Sequence, residues 1–330
     1  MKPLAVVYDE VFAAHDTGDR HPETALRARW VAEALRASEL IGATDVLQPE
    51  LIETRWIERI HTREYRSFIE EACLKGMRAV DFGETLVCED SYRVARLAAG
   101  AAVRAVHAVC RDGYSAAFSC ARPPGHHARA EQAMGFCLFN HIAIAAVYAQ
   151  EAMKRERVCI IDFDVHHGNG TQESFYATPA VFFVSLHQHL LYPQTGWDSE
   201  TGSGGGKGTN LNIPLPAGSD LSRYETAFDN LIEPAVRRFR PDILLLSAGF
   251  DAHHRDPLSH MQLSEKDYYT LTRRIVRLAR ELGDCPVASV LEGGYDPEGL
   301  TQSALHHLCA LAEGADEGSL LPCLKPKNET

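Results

Sequence analysis

The chain has 330 residues, 45% hydrophobic and 24% charged, so it can bury a large core and has the composition of an ordinary globular protein. A net charge of -12 argues against a broad basic face for nucleic acid and favours cationic partners through long-range attraction. No apolar run reaches the roughly 18 residues of a membrane span, and nine cysteines without a C-x-x-C pair fit neither a disulfide framework nor a cysteine-rich structural zinc site.

The first residues are too short a stretch, and too soon acidic, for a signal peptide. A cytoplasmic location, in a reducing compartment, is the expectation. The apolar run at 4–8 reads as an opening strand instead. A helical pattern covers 91–110, a strand 116–119, a helix 140–154, and strands 158–164 and 181–186. A helix over 224–239, a strand at 243–247, a helix over 265–281 and a strand at 287–291 complete the series. Continuous apolar strands separated by helices predict an α/β fold with a parallel sheet covered on both faces. No repeat or linker divides the chain. One domain over 1–330 is expected, with its core at about 4–312 and a tail at 313–330.

Five of these strands run into polar segments. They are followed by Arg122-Pro123-Pro124-Gly125-His126-His127, Asp162-Phe163-Asp164-Val165-His166, His187, Phe250-Asp251 and Glu292-Gly293-Gly294-Tyr295. Parallel sheets bind ligands beyond the carboxyl ends of their strands, so these groups are predicted to converge on one edge. On an extended segment Asp162, Asp164 and His166 share parity and point one way. Two carboxylates and an imidazole suit a divalent metal, and Asp251 completes the three protein ligands of a catalytic site. The competing reading is a polar strand end that merely caps turns. His126 and His127 are suited to proton transfer in the working pH range; the bland alternative is a surface histidine pair. Gly293 and Gly294 let the backbone present the Tyr295 phenol.

The segments RPPGHHA, DFDVHHGNGTQ, SAGFDAHHRDPL and LEGGY resemble, in order, those of the zinc-dependent histone deacetylase and acetylpolyamine amidohydrolase family. The resemblance extends from His21-Pro22-Glu23 to about Tyr295 and implies an arginase-like fold. It implies one zinc ion on Asp164, His166 and Asp251, with Asp162 beside His126 and Asn169 orienting His127. An amide at Asn169 is similar to the bacterial class II-like branch. The resemblance makes His127 the general base and then acid, His126 an electrostatic partner, and Tyr295 a hydrogen-bond donor to the substrate carbonyl. It places Gly135, Phe136, Tyr192 and Leu258 along a substrate tunnel, and Asp90 at its rim. It also implies potassium on Asp162, Asp164, His166, Ser185 and Leu186, with a second group at Phe175, Thr178 and Val181.

The implied reaction is hydrolysis of an acetyl-amide bond on a cationic amine, either acetyl-lysine in a protein or an acetylpolyamine. Neither nucleic acid nor membrane is an expected partner, and a homo-oligomer is compatible with the chain. Two other functions compete with this one. A two-metal ureohydrolase would want an acid at both ends of its D-x-D segment, where this chain has Asp251-Ala252-His253. A non-catalytic acetyl-ligand sensor would be expected to lack a ligand, a base or the tyrosine. The glycine-rich run at 202–209 fails as a phosphate loop because Gly208 follows Lys207, and it reads as a flexible loop at the site mouth. Cys137 reads as a packed thiol.

Overall fold

The chain, seen in a computed structural model, is described over residues 2–313. It opens with β1 (Lys2–Val7), α1 (Arg27–Ala37), β2 (Thr44–Leu47), α2 (Thr54–Ile57) and α3 (Arg63–Leu74). The middle runs α4 (Ser91–Arg111), β3 (Tyr114–Ser119), α5 (His141–Glu151), β4 (Val158–Asp162), α6 (Asn169–Phe175), β5 (Val181–Gln188) and β6 (Asn210–Leu215). It closes with α7 (Leu221–Ala227), α8 (Glu233–Phe239), β7 (Ile243–Ala248), α9 (Glu265–Glu281), β8 (Val287–Leu291) and α10 (Pro297–Glu313). Beyond Glu313, the expected tail lies outside the described residues.

The eight strands form one sheet in the order β2-β1-β3-β8-β7-β4-β5-β6. Every neighbouring pair is parallel. Strands β4, β5, β7 and β8 are buried along their whole length, which explains their unbroken apolar sequences. Helix α4 packs with α5, while α10 packs with α1 and α9; both groups reach β3, so helices flank the sheet. Gly100 is required in α4, because a Cβ there would stand 1.8 Å from the Glu50 carbonyl oxygen.

Parallel pairing puts every strand's carboxyl end on one edge. The register aligns Asp162 with both Ser185 and Ser247, and Val290 with both Ser119 and Ser247. The polar segments after β3, β8, β7 and β4 therefore leave the sheet side by side.

Two expectations need correction. β4 stops at Asp162 rather than 164. The helix expected over 224–239 is interrupted by a π turn at Phe228–Ile232. Pro234, at the start of α8, has no N–H for the carbonyl four residues earlier, and the wider turn absorbs that break.

Candidate metal centre and catalytic cavity

The turn after β4 is built by its own acids. Asp162 Oδ1 accepts the Asp164 N–H (3.1 Å), Asp164 Oδ1 accepts the His166 N–H (2.8 Å), and Asp251 Oδ1 accepts the Val165 N–H (2.8 Å). Asp164 Oδ2 accepts the Gly293 N–H from the turn after β8 (2.8 Å). Capping of turns and metal binding were rival readings of this motif, yet the geometry satisfies both. His166 Nδ1 sits 3.1 Å from both Asp164 Oδ1 and Asp251 Oδ2. The three residues are buried, and one ligand atom from each falls within 4.8 Å of the others. Among the described residues no other histidine, cysteine or acid cluster is so arranged. Two glycines make room: a Cβ at Gly249 would lie 2.2 Å from Asp164 Oδ2, and one at Gly293 2.0 Å from Asp251 Oδ2.

The electrostatics call for a cation at this point. Burial opposes charging of His166, but Asp164 and Asp251 reverse the effect and push its pKa up to about 10. Burial and the neighbouring Asp164 raise the pKa of Asp251. Burial works against Asp164 too, but His126 and His166 hold its pKa low. Two buried carboxylates around one imidazole are thus short of positive charge, which a divalent ion supplies better than a proton. The donor set of two oxygens and one nitrogen fits zinc.

His126 and His127 are only 3% and 4% exposed, which rules out the surface-pair reading. Their rings lie 4.0 Å apart. His126 Nδ1 donates to Asp162 Oδ2 (3.0 Å), and Nε2 is 3.8 Å from Asp164 Oδ1. Burial disfavours its charged form, yet Asp162, Asp164 and Glu292 carry its pKa up to about 10. His127 moves the other way, driven well below the usual histidine range by burial, then by His126 and His166. Its Nδ1 meets the Asn169 amide oxygen at 2.8 Å, so Nδ1 carries the proton and Nε2 keeps a lone pair. The environment thus pushes the two neighbouring imidazoles in opposite directions, His126 toward its charged form and His127 toward its neutral form.

A cavity of about 410 Å³ opens onto His127. Gly135, Phe136, Tyr192, Leu258, His127, His166 and Tyr295 line it. Tyr192 meets His127 edge-on at 5.1 Å, and Phe136 meets Tyr295 edge-on at 5.8 Å. Gly135 has to be glycine, with φ +56 and a position where a Cβ would touch His127 Cδ2 at 2.2 Å. Burial, opposed by Arg27, raises the Tyr295 pKa well above its usual value, so the phenol stays a donor.

Asp90 is not brought to this cavity. It is the N-cap residue of α4, pairs with Arg93 at 3.1 Å, and leaves Glu84 as the acidic residue on the cavity wall. Of the residues expected near potassium, Asp162 and Ser185 are register partners at the active edge, with Leu186 following in β5. Asp164 and His166 lie just beyond β4. Phe175, Thr178 and Val181 surround the start of β5, at the opposite edge of the sheet. The 202–209 segment also lies there. It leads into β6, and Ser203 N–H bonds the Tyr176 carbonyl (2.8 Å), so it is not at the site mouth. Cys137 is fully buried, and burial raises its pKa far above the thiol range, as a packed thiol requires.

Several site residues went unassigned at the sequence level. Arg27 stacks 4.8 Å from the Tyr295 ring and donates to the Gly294 and Glu292 carbonyls (2.7 and 2.6 Å). Fully buried Glu23 binds both Arg27 and Arg122. Asp256 accepts the N–H groups of Tyr295 and Leu258 (2.7 and 2.9 Å), joining two cavity walls. Glu292 accepts the N–H groups of Gly125 and His126 (2.7 and 3.1 Å). For Glu23, Asp256 and Glu292 the available signal was a charged residue inside a polar strand-end segment or in His21-Pro22-Glu23; Arg27, at the start of α1, carried none.

Comparison with known proteins identifies the family of the chain. The histone deacetylase domain matches residues 21–311. Histone deacetylase 10, chloroplastic, of Oryza sativa subsp. japonica is 41% identical over 303 residues, covering 86% of this chain and 68% of that protein. A probable deacetylase of Archaeoglobus fulgidus is 38% identical over 296 residues, covering 89% and 82%. Among solved structures, the HDA15 HD domain superposes with a TM-score of 0.88 at 32% identity, covering 95% of this chain and 90% of that one. The chain belongs to the histone deacetylase family, has its arginase-like fold, and is an enzyme that hydrolyses acetyl-amide bonds.

Proposed function

We propose that the chain is a zinc-dependent deacetylase of acetylated cationic amines. The observation that carries this reading is the buried Asp164, His166 and Asp251 set, within 4.8 Å, at a cavity shared with His127 and Tyr295. Zinc held by these three residues would supply Lewis acidity, polarising a carbonyl and acidifying water. His127, neutral and with Nε2 free to accept, takes a proton from the attacking water and returns it to the departing amine. His126, charged against Asp162, lowers the cost of negative charge forming beside it. Tyr295 donates its O–H to the acetyl oxygen as charge develops there.

Phe136, Tyr192 and Leu258 give the amine's alkyl stem an apolar sleeve. Glu84 on the cavity wall and the net charge of -12 favour a substrate with a further positive charge. The test compares kcat/KM for an acetyl-lysine peptide and an acetylpolyamine, with zinc stripped and restored. Turnover should follow zinc, and Asp251→Asn should abolish it for both substrates. Activity that survives chelation would refute the metal-dependent reading.

A further inference from the structure

Glu292 touches no reacting group in the chemistry derived so far, where it enters only as one of the charges favouring the His126 imidazolium, yet its carboxylate is fully buried and centrally placed. It sits just after β8, between two neighbours. On one side Oε1 accepts the Ser247 hydroxyl from β7 (3.2 Å). On the other, Oε2 takes two successive backbone N–H groups, those of Gly125 and His126 (2.7 and 3.1 Å). Those two peptides begin the His126-His127 dipeptide. The opposite end of the same loop is pinned by Arg122, whose guanidinium is held by buried Glu23. Arg27 ties the two anchors together, bonding Glu23 and the Glu292 carbonyl.

The loop is therefore clamped at two points by buried carboxylates. A buried carboxylate with no arginine or lysine on it costs more than a neutral side chain would. Burial itself raises its pKa to about 7. Packing alone does not explain such a residue, since leucine would fill the same space without the penalty. What leucine cannot do is hold two N–H groups on one point. Those two bonds fix the 124–125 and 125–126 peptide planes, which lead directly into the His126-His127 dipeptide.

We infer that Glu292 is a positioning residue for deacetylation, setting the placement of His126 and His127 by gathering the Gly125 and His126 N–H groups onto one carboxylate oxygen. Displacing a catalytic group by about 1 Å can cost roughly 100-fold in rate without touching substrate binding. The inference rests on the reading of His127 as the proton-transfer group, and His127→Ala is measured in parallel to test that reading by itself.

In the zinc-loaded full chain, Glu292→Leu should lower kcat about 100-fold while KM stays within about two-fold and zinc content is unchanged. Glu292→Gln, whose amide oxygen can still accept both N–H groups, should recover kcat to within about five-fold of the parent. If the leucine variant does not fold, Glu292→Asp carries the test: its retracted carboxylate should cost at least about ten-fold in kcat at parental zinc content. Parental kcat in the leucine or aspartate variant, beside an inactive His127→Ala, overturns the positioning role. Equal losses in the leucine and glutamine variants, tracking a common fall in melting temperature, overturn it as well. An active His127→Ala would instead sink the base assignment.

Discussion

At the residue scale, two adjacent buried histidines differ because carboxylates surround one and other imidazoles crowd the second. His126 faces the Asp162 carboxylate, and His127 faces the Asn169 amide. Burial disfavours charge on both rings; Asp162, Asp164 and Glu292 overcome it at His126, while at His127 the neighbouring His126 and His166 add to it and the Asn169 amide offsets little. Tyr295 is held by three independent contacts: its N–H on Asp256, the Arg27 guanidinium over its ring, and Phe136 against its edge. None of these involves its hydroxyl. Tyr295→Phe should therefore leave ring and zinc site in place and remove one oxyanion donor. The expected loss is about 10²–10³ in kcat with zinc stoichiometry unchanged. Near-parental turnover in that variant would exclude the tyrosine from the reaction.

At the scale of elements, the interior of the sheet was legible and its margins were not. β4, β5, β7 and β8 are buried on both faces, so their sequences are simply apolar, and their expected positions agree with the structure to within two residues. β2 and β6 lie at the two edges of the sheet and were missed. Neither shows an unbroken apolar run: β2 is nowhere fully buried, and β6 contains two asparagines and a proline. Helices α1, α3 and α10 were also missed. α1 and α3 lie in charge-rich stretches between unrecognised elements, and α10 follows the last motif.

The site shows a similar division. Asp164 and His166 were expected to face one way from extended-strand parity, with Asp251 joining from its own strand, but β4 ends before Asp164. Backbone N–H groups captured by Asp162, Asp164 and Asp251 arrange the trio instead, and such capture has no spacing signature. Asp90, which is the N-cap residue of α4 and does not line the cavity, illustrates the same point: loop geometry decides whether an acid reaches a rim. The turns themselves are testable. Gly293 lies where a Cβ would be 2.0 Å from Asp251 Oδ2 and 2.6 Å from Asp164 Oδ2. Gly293→Ala should push both carboxylates off their positions and reduce zinc content by elemental analysis, in a chain that retains its helical circular dichroism. Full zinc occupancy in that variant would show that the turn can yield without moving the ligands.

At the scale of the whole molecule, the metal site joins strands that are neighbours in space but distant in sequence. Asp164 and His166 follow β4 and Asp251 follows β7, 85 positions from His166. An ion bound only by the folded chain stabilises it in proportion to the logarithm of its concentration over Kd, about 4 kcal/mol at a thousand-fold excess. For a chain of this length that corresponds to a melting shift on the order of 5–10 °C. Stripping zinc should lower the melting temperature by that amount, and restoring it should reverse the loss. Asp251→Asn separates this linkage from a general effect of chelator. The Asp251 pKa is raised by burial and by Asp164, so its ionised form opposes folding at neutral pH. The asparagine variant should therefore lose the zinc-dependent shift, while its zinc-free form melts no lower than the zinc-free parent. A chelator shift of the same size in both proteins would place the stabilising ion elsewhere, and an unchanged parent would mean that these three residues hold no ion that matters to the fold.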